Sequence, residues 1–265
     1  MENQMKYETV DEFLKSDKLK RADVVLVGGK KSFFSKMIRK ATNSHWSHAA
    51  LVFVIPHRET GFENTFVIES IGDGVDITDL SYYIKKHAEE YDVGIRRLDH
   101  DWFSNDGKGL DIRKRVRGNM LNSIKAEYDF RAILHIGMML LRKLIFGIRT
   151  RLSGLEKTLS KTRAKGGRVP GQFICSGFVQ YGFYNAIKSM IDKGELPEEK
   201  LRDVIFNPRL DSDSGIIDYD VMLTTTPENI AATDKLTWKY VIKNGKVYDV
   251  RSKNEVNDIL KNMND

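Results

Sequence analysis

The chain has 265 residues, 43 Lys+Arg against 37 Asp+Glu for a formal charge of +6, 41% hydrophobic residues and a single cysteine. That length can bury a full core, and 10% aromatics with 30% charged residues exclude a disordered tail. Five prolines and 20 glycines exclude collagen-like or low-complexity chains, and one cysteine excludes an intramolecular disulfide framework or a cysteine-rich zinc module and fits a reducing compartment.

The first 21 residues carry no apolar stretch of the kind a signal peptide needs. The longest apolar run, Ala132–Ile148, is interrupted by His135, Arg142 and Lys143 and is shorter than the roughly 20 residues of a spanning helix. A cytoplasmic location is expected. Charge is uneven: Arg131–Arg168 holds ten Lys/Arg and one acid, so that segment is +9 and the remainder −3.

In chain order, Val10–Lys18 reads as a short amphipathic helix with Val10, Phe13 and Leu14 on one side. Arg21–Gly29 is an apolar run closed by two glycines, a buried strand, and Ser32–Thr42 is helical with an apolar stripe of Phe33, Phe34, Met37 and Ile38. His48–Ile55 and Thr65–Ser70 are strands around a polar loop, Val75–Tyr83 starts a connection, and Tyr91–Leu98 is a further strand. Leu110–Lys125, Phe130–Phe146 and Phe173–Ile191 read as helices, with a polar basic loop at Gly154–Gly171. Asn244-Gly245 between Trp238–Lys243 and Lys246–Val250 is a strong hairpin signal. Strands and helices mix without strict alternation, which predicts α+β with a small antiparallel sheet, in a single domain over 1–265.

Cys175 stands where the helical pattern of Phe173–Ile191 begins, and a thiol in the first turn of a helix feels the positive end of the backbone dipole. It is either a nucleophile or a buried structural cysteine. A nucleophilic thiol needs a base, and there are six histidines. His57, His87 and His100 lie in polar or charged segments and His135 on an apolar helix, whereas His48 opens a strand that can hold an imidazole rigidly. Symmetric pairing about the Pro56–Asn64 loop sets His48 opposite Glu69, Ala50 opposite Val67 and Val52 opposite Thr65. Directly opposed residues share a face at about 4.5–5.5 Å between Cβ atoms, close enough for Glu69 to fix the imidazole tautomer; a slip of one residue turns Glu69 away. The alternative for Glu69 is a strand-end carboxylate in solvent.

These residues resemble the circularly permuted papain-like amidases of the NlpC superfamily (the YaeF/YiiX type), in which the histidine strand precedes the cysteine helix. The resemblance spans about residues 20–245 and rests on Asp23-Val24-Val25-Leu26, Ser47-His48-Ala49-Ala50-Leu51, Glu69, Tyr128-Asp129-Phe130, Cys175-Ser176-Gly177-Phe178-Val179 and Thr226-Pro227-Glu228-Asn229-Ile230. It implies a permuted papain-like fold with Cys175 as nucleophile, His48 as base and then acid, Glu69 as orienting residue, and Tyr128 in the site wall near the oxyanion, with no cofactor and no metal. The sequence departs from the pattern at Ala22, where the family has Gly, at Gly177, where an acid often follows Cys-Ser, and in the long step from Asp129 to Cys175, which reads as a basic helix-loop insert at about 131–170.

The expected reaction is hydrolysis of an amide bond in a peptide or amidated small molecule through an acyl-enzyme. Acyl transfer or thioester/lipase chemistry on a membrane lipid uses the same pair, so it stays open. A non-catalytic or metal-binding protein using His45 and His48 is a third reading, although a zinc site needs three or four ligands. The 131–168 basic segment could be a core helix, a peripheral contact with anionic membrane or a nucleic-acid contact; the lack of interleaved aromatics disfavours nucleic acid.

Overall fold

In the computed structural model, residues 7–56, 62–72, 74–123, 127–128, 172–173, 175–208, 222 and 224–261 are described, with 127–128 and 172–173 as backbone. The uncharged run Val24–Gly29 (β2) is buried at all six positions, which places it inside a sheet covered on both faces. Around it lie β1 (Tyr7–Thr9), β3 (His48–Val54), β4 (Phe66–Ile71), β5 (Gly74–Asp79), β6 (Tyr91–Arg97), β9 (Thr237–Lys243) and β10 (Lys246–Asp249). They form one eight-stranded sheet in the order β1-β10-β9-β6-β2-β3-β4-β5, with every pairing antiparallel. The antiparallel α+β class is as expected; the sheet is larger than expected, because β1 adds to β10 and β5 to β4. β7 (Glu127–Tyr128) and β8 (Gln172–Phe173) form a separate parallel pair.

Alternation along the strands divides the core in two. One face, with Val24, Leu26, Ala49, Leu51 and Ile68, packs with α3 (Gly107–Leu121) and α4 (Cys175–Asp192) through Met120, Phe178, Val179 and Phe183. The other, with Val25, Val27, Ala50, Val52 and Val67, is covered by Phe13 of α1 (Val10–Lys15) and by Leu80, Tyr83 and Ile84. Helices α3 and α4 approach so closely that a Cβ at Gly182 would collide with Met120. Arg113 of α3 is fully buried; its guanidinium lies over the Phe103 ring and donates to the carbonyls of Phe103 and Ser104.

Asp23, at the foot of β2, takes a two-pronged bond from Arg97 (2.7 Å at each oxygen) and a third from the Lys20 backbone N–H. Its place in the apolar strand motif is therefore structural. At the far end of the chain, Asn244 (φ 50°) and Gly245 (φ 74°) make the tight turn between β9 and β10 that their pairing predicted.

Two expectations need correction. Thr65 leaves the β3–β4 ladder, its carbonyl accepting from Leu80 N–H, and β3 carries an extra residue at Phe53. As a result Ala50 lies opposite Glu69 and Val52 opposite Val67, two residues from the expected register. The helix predicted over Ser32–Thr42 forms as α2 (Phe33–Thr42), capped by Ser32, but its apolar stripe is not in the core: none of its residues is buried. Phe130–Phe146, Gly154–Gly171 and the insert at 131–170 lie outside the described residues.

Candidate active site

Cys175 is the first residue of α4 and is buried. Two backbone N–H groups, of Ala49 and Ser176, donate to its sulfur, and His48 hydrogen-bonds it. Burial pushes the thiol up, yet the charge and hydrogen bond of His48, with those two N–H groups, bring it below its ordinary value. His48 moves the other way: burial disfavours its charge, but Cys175 and Glu69 together hold the proton, and its pKa is pushed up to about 10. The preferred state is a thiolate–imidazolium pair.

His48 Nε2 lies 2.5 Å from Glu69 Oε2, so Nδ1 is the ring nitrogen left for the sulfur. The contact runs on the diagonal between β3 and β4. The two-residue change of register leaves it possible, because His48, Ala50 and Glu69 still share a face. Glu69 is 1% exposed and has further donors. Tyr83 Oη donates to both carboxylate oxygens, at 2.8 and 3.0 Å, and Thr78 supplies another hydrogen bond. Burial raises the carboxyl, and these bonds outweigh it, holding Glu69 below the usual carboxylate range. It is thus not the solvent-facing strand-end carboxylate.

Tyr83 and Thr78 escape sequence reading. Tyr83 sits in a π-helical turn, Tyr82–Lys86, where nothing local marks it. Thr78 becomes legible only through the strand pairing of Gly74–Asp79, which sets it opposite Val67, on the same face as Glu69 two residues away.

The segment around Thr226-Pro227 closes onto the cysteine helix. Ser176 Oγ donates to Thr225 O at 2.6 Å. Thr226 then caps α5 (Pro227–Ala232), accepting from Asn229 N–H while Asn229 Oδ1 accepts from Thr226 N–H. The backbone of Tyr128 pairs with Phe173, two residues before Cys175. What the Tyr128 side chain touches lies outside the described residues.

The other histidines go elsewhere. His45 Nε2 is 2.9 Å from Asp92 Oδ2, and its Nδ1 is 3.3 Å from Arg39, so it does not join His48 as a ligand pair. His87 packs on Tyr82 and His100 stacks on Trp102; His57 and His135 lie outside the described residues. Among the described residues no group of three His, Cys, Asp or Glu could hold a metal ion. No helix among them is long and apolar enough to cross a membrane.

No family model and no curated protein matches the chain. Among solved structures, the metalloprotein YiiX from Escherichia coli O157:H7 superposes with a TM-score of 0.46 at 16% identity, covering 83% of this chain and 96% of that one.

Proposed function

We propose that the chain is a cysteine hydrolase of permuted papain-like type that cleaves an amide bond through Cys175, His48 and Glu69. The observation that carries this is the convergence of the only cysteine of the chain, itself buried, with an imidazole whose other nitrogen is held by a buried carboxylate. The arrangement has the parts a thiol nucleophile needs: an activated sulfur, a base within reach and a group that fixes the base. The order of a histidine strand before a cysteine helix supports the permuted arrangement.

The thiolate of Cys175 attacks the carbonyl carbon, and the carbonyl oxygen becomes an oxyanion. The Cys175 N–H, at the start of α4, faces that charge, and Tyr128 is assigned to the same wall. His48 gives its proton to the leaving nitrogen, the C–N bond breaks and an acyl-thioester remains. Water then attacks the thioester, His48 takes its proton, and the sulfur departs as thiolate. Glu69 keeps the ring oriented throughout and stays ionised.

The test is acylation with p-nitrophenyl acetate, followed by acid quench and intact mass. The wild type should gain one acetyl group, lost in Cys175→Ser and slowed at least about 100-fold in His48→Ala. A wild type that never acylates overturns the mechanism. Peptide amides, thioesters and phospholipids compared as substrates then test the bond: turnover of the last two without the first overturns the amide assignment alone.

A further inference from the structure

The helix α2 is amphipathic and sits with its apolar side outward. Phe33 is 74% exposed and Phe34 57%, and Met37 and Ile38 are only half-buried. The side that meets the sheet is polar. Ser35 lies so near Gly29 that a Cβ there would collide with its hydroxyl, and Arg39 donates to the Gly29 carbonyl and faces His45. At about 100° per residue, Phe33, Phe34, Met37 and Ala41 fall on the side away from Ser35 and Arg39, with Lys36 and Lys40 along one flank.

The charge around this face is of one sign. Between Asp23 and Glu59 the sequence has no acidic residue, against Lys30, Lys31, Lys36, Arg39, Lys40 and Arg58. Lys30 is engaged by Asp92 and Lys31 by Glu90, whereas among the described residues Lys36 and Lys40 have no acidic partner. A second copy of the chain seated on this face would bring like charges together. Nucleic acid would use the lysines and leave the phenylalanines without a role.

We infer that α2 is a docking element for an anionic lipid surface, with Phe33 and Phe34 entering the apolar edge of the bilayer and Lys36 and Lys40 meeting headgroup phosphates. It follows β2 at the strand end where Val27 pairs with His48, so docking brings the His48 end of the sheet to the membrane. The inference is independent of the chemistry at Cys175.

The experiment is sedimentation of the full chain with vesicles of phosphatidylcholine alone and of phosphatidylcholine with phosphatidylglycerol. Binding should need the anionic lipid and weaken as salt rises. Phe33→Ser/Phe34→Ser and, separately, Lys36→Glu/Lys40→Glu should each weaken it about tenfold. Both changes are at the surface and leave the core untouched, and Cys175→Ser should bind as wild type. Four outcomes overturn the inference. One is no binding by the wild type, and another is wild-type binding by both α2 variants with loss of binding in Arg142→Glu/Lys143→Glu/Arg149→Glu. Self-association abolished by the phenylalanine changes would make the face a dimer contact, and duplex DNA binding that displaces vesicles and ignores those changes would make it a nucleic-acid surface.

Discussion

The hydroxyl of Tyr83 spans both oxygens of Glu69, 2.8 Å from one and 3.0 Å from the other, where the carboxylate is 1% exposed. A buried charge is tolerable only if its lone pairs are satisfied, so this phenol is part of what keeps Glu69 ionised beside His48. Tyr83→Phe keeps the ring and removes the donor. Glu69 should then titrate higher, and unfolding free energy should fall by about 1.5–3 kcal/mol in a urea titration. Cys175 should react more slowly with alkylating agents at neutral pH. Unchanged stability and reactivity would show that Thr78 and His48 suffice.

Cys175 and His48 shift in opposite directions, the thiol below its ordinary 9.0 and the imidazole from 6.5 up to about 10. Between those ordinary values the unfolded thiol with neutral imidazole holds one proton, and so does the folded thiolate–imidazolium pair once the sulfur has ionised, so stability has no pH slope from that ionisation, or from 6.5 if it lies lower, up to 9.0. Above 9.0 the unfolded pair holds none while the folded imidazolium persists to about 10, so stability falls toward base. The stability difference between wild type and Cys175→Ser should show that plateau. Because the chain has one cysteine, thiolate ultraviolet absorbance reads the same site directly. It should appear at lower pH in the wild type than in His48→Ala, whose thiol moves back toward its ordinary range; a thiolate that appears at the same pH in both proteins rules out the pair.

Much of this arrangement is legible in the sequence for identifiable reasons. Val24–Gly29 and His48–Val54 are uncharged apart from one histidine, and such runs are stable only where both faces are covered. The pairing of His48 with Glu69 survives a register two residues from the expected one because side chains alternate with period two. Gly74–Asp79 is less readable: with two aspartates and a glycine it has no apolar run, and its pairing to β4 is what makes it a strand. The stripe Phe33–Ile38 shows a further limit. Helical period reveals that a face is apolar and says nothing of what covers it; here the sheet receives Ser35 and Arg39 instead.

Gln180, fully buried in the middle of α4, donates from Nε2 to Val204 O and accepts from Phe206 N–H, both at 2.7 Å. It acts as a two-pronged clasp between the cysteine helix and the segment that follows the 3₁₀ turn Glu198–Val204. Gln180→Met is close in volume and leaves one buried carbonyl and one buried N–H without partners. The expected loss is about 2 kcal/mol or more, read as a lower urea midpoint at constant slope. A loss under about 0.5 kcal/mol would mean that the segment moves to find other partners.

Ala22 holds φ 64°, in the left-handed region, with its N–H donated to Val52 O at 2.8 Å and its methyl fully buried. An L-residue there pays about 1–2 kcal/mol that glycine does not, and this is the position where the permuted papain-like pattern has Gly. Against that, Ala22→Gly gives up a buried methyl, about 0.8 kcal/mol, and about 0.5–1 kcal/mol of unfolded-state entropy. The opposing effects nearly cancel, so Ala22→Gly should stay within about 0.5 kcal/mol of wild type. Ala22→Val adds a β-branched side chain to a left-handed, fully packed site, and should cost about 3 kcal/mol or more. Urea unfolding of the two variants separates conformation from packing. If glycine proved as costly as valine, the methyl would be supplying more than the backbone loses, and the strand's entry from Ala22 into Asp23 would be governed by packing.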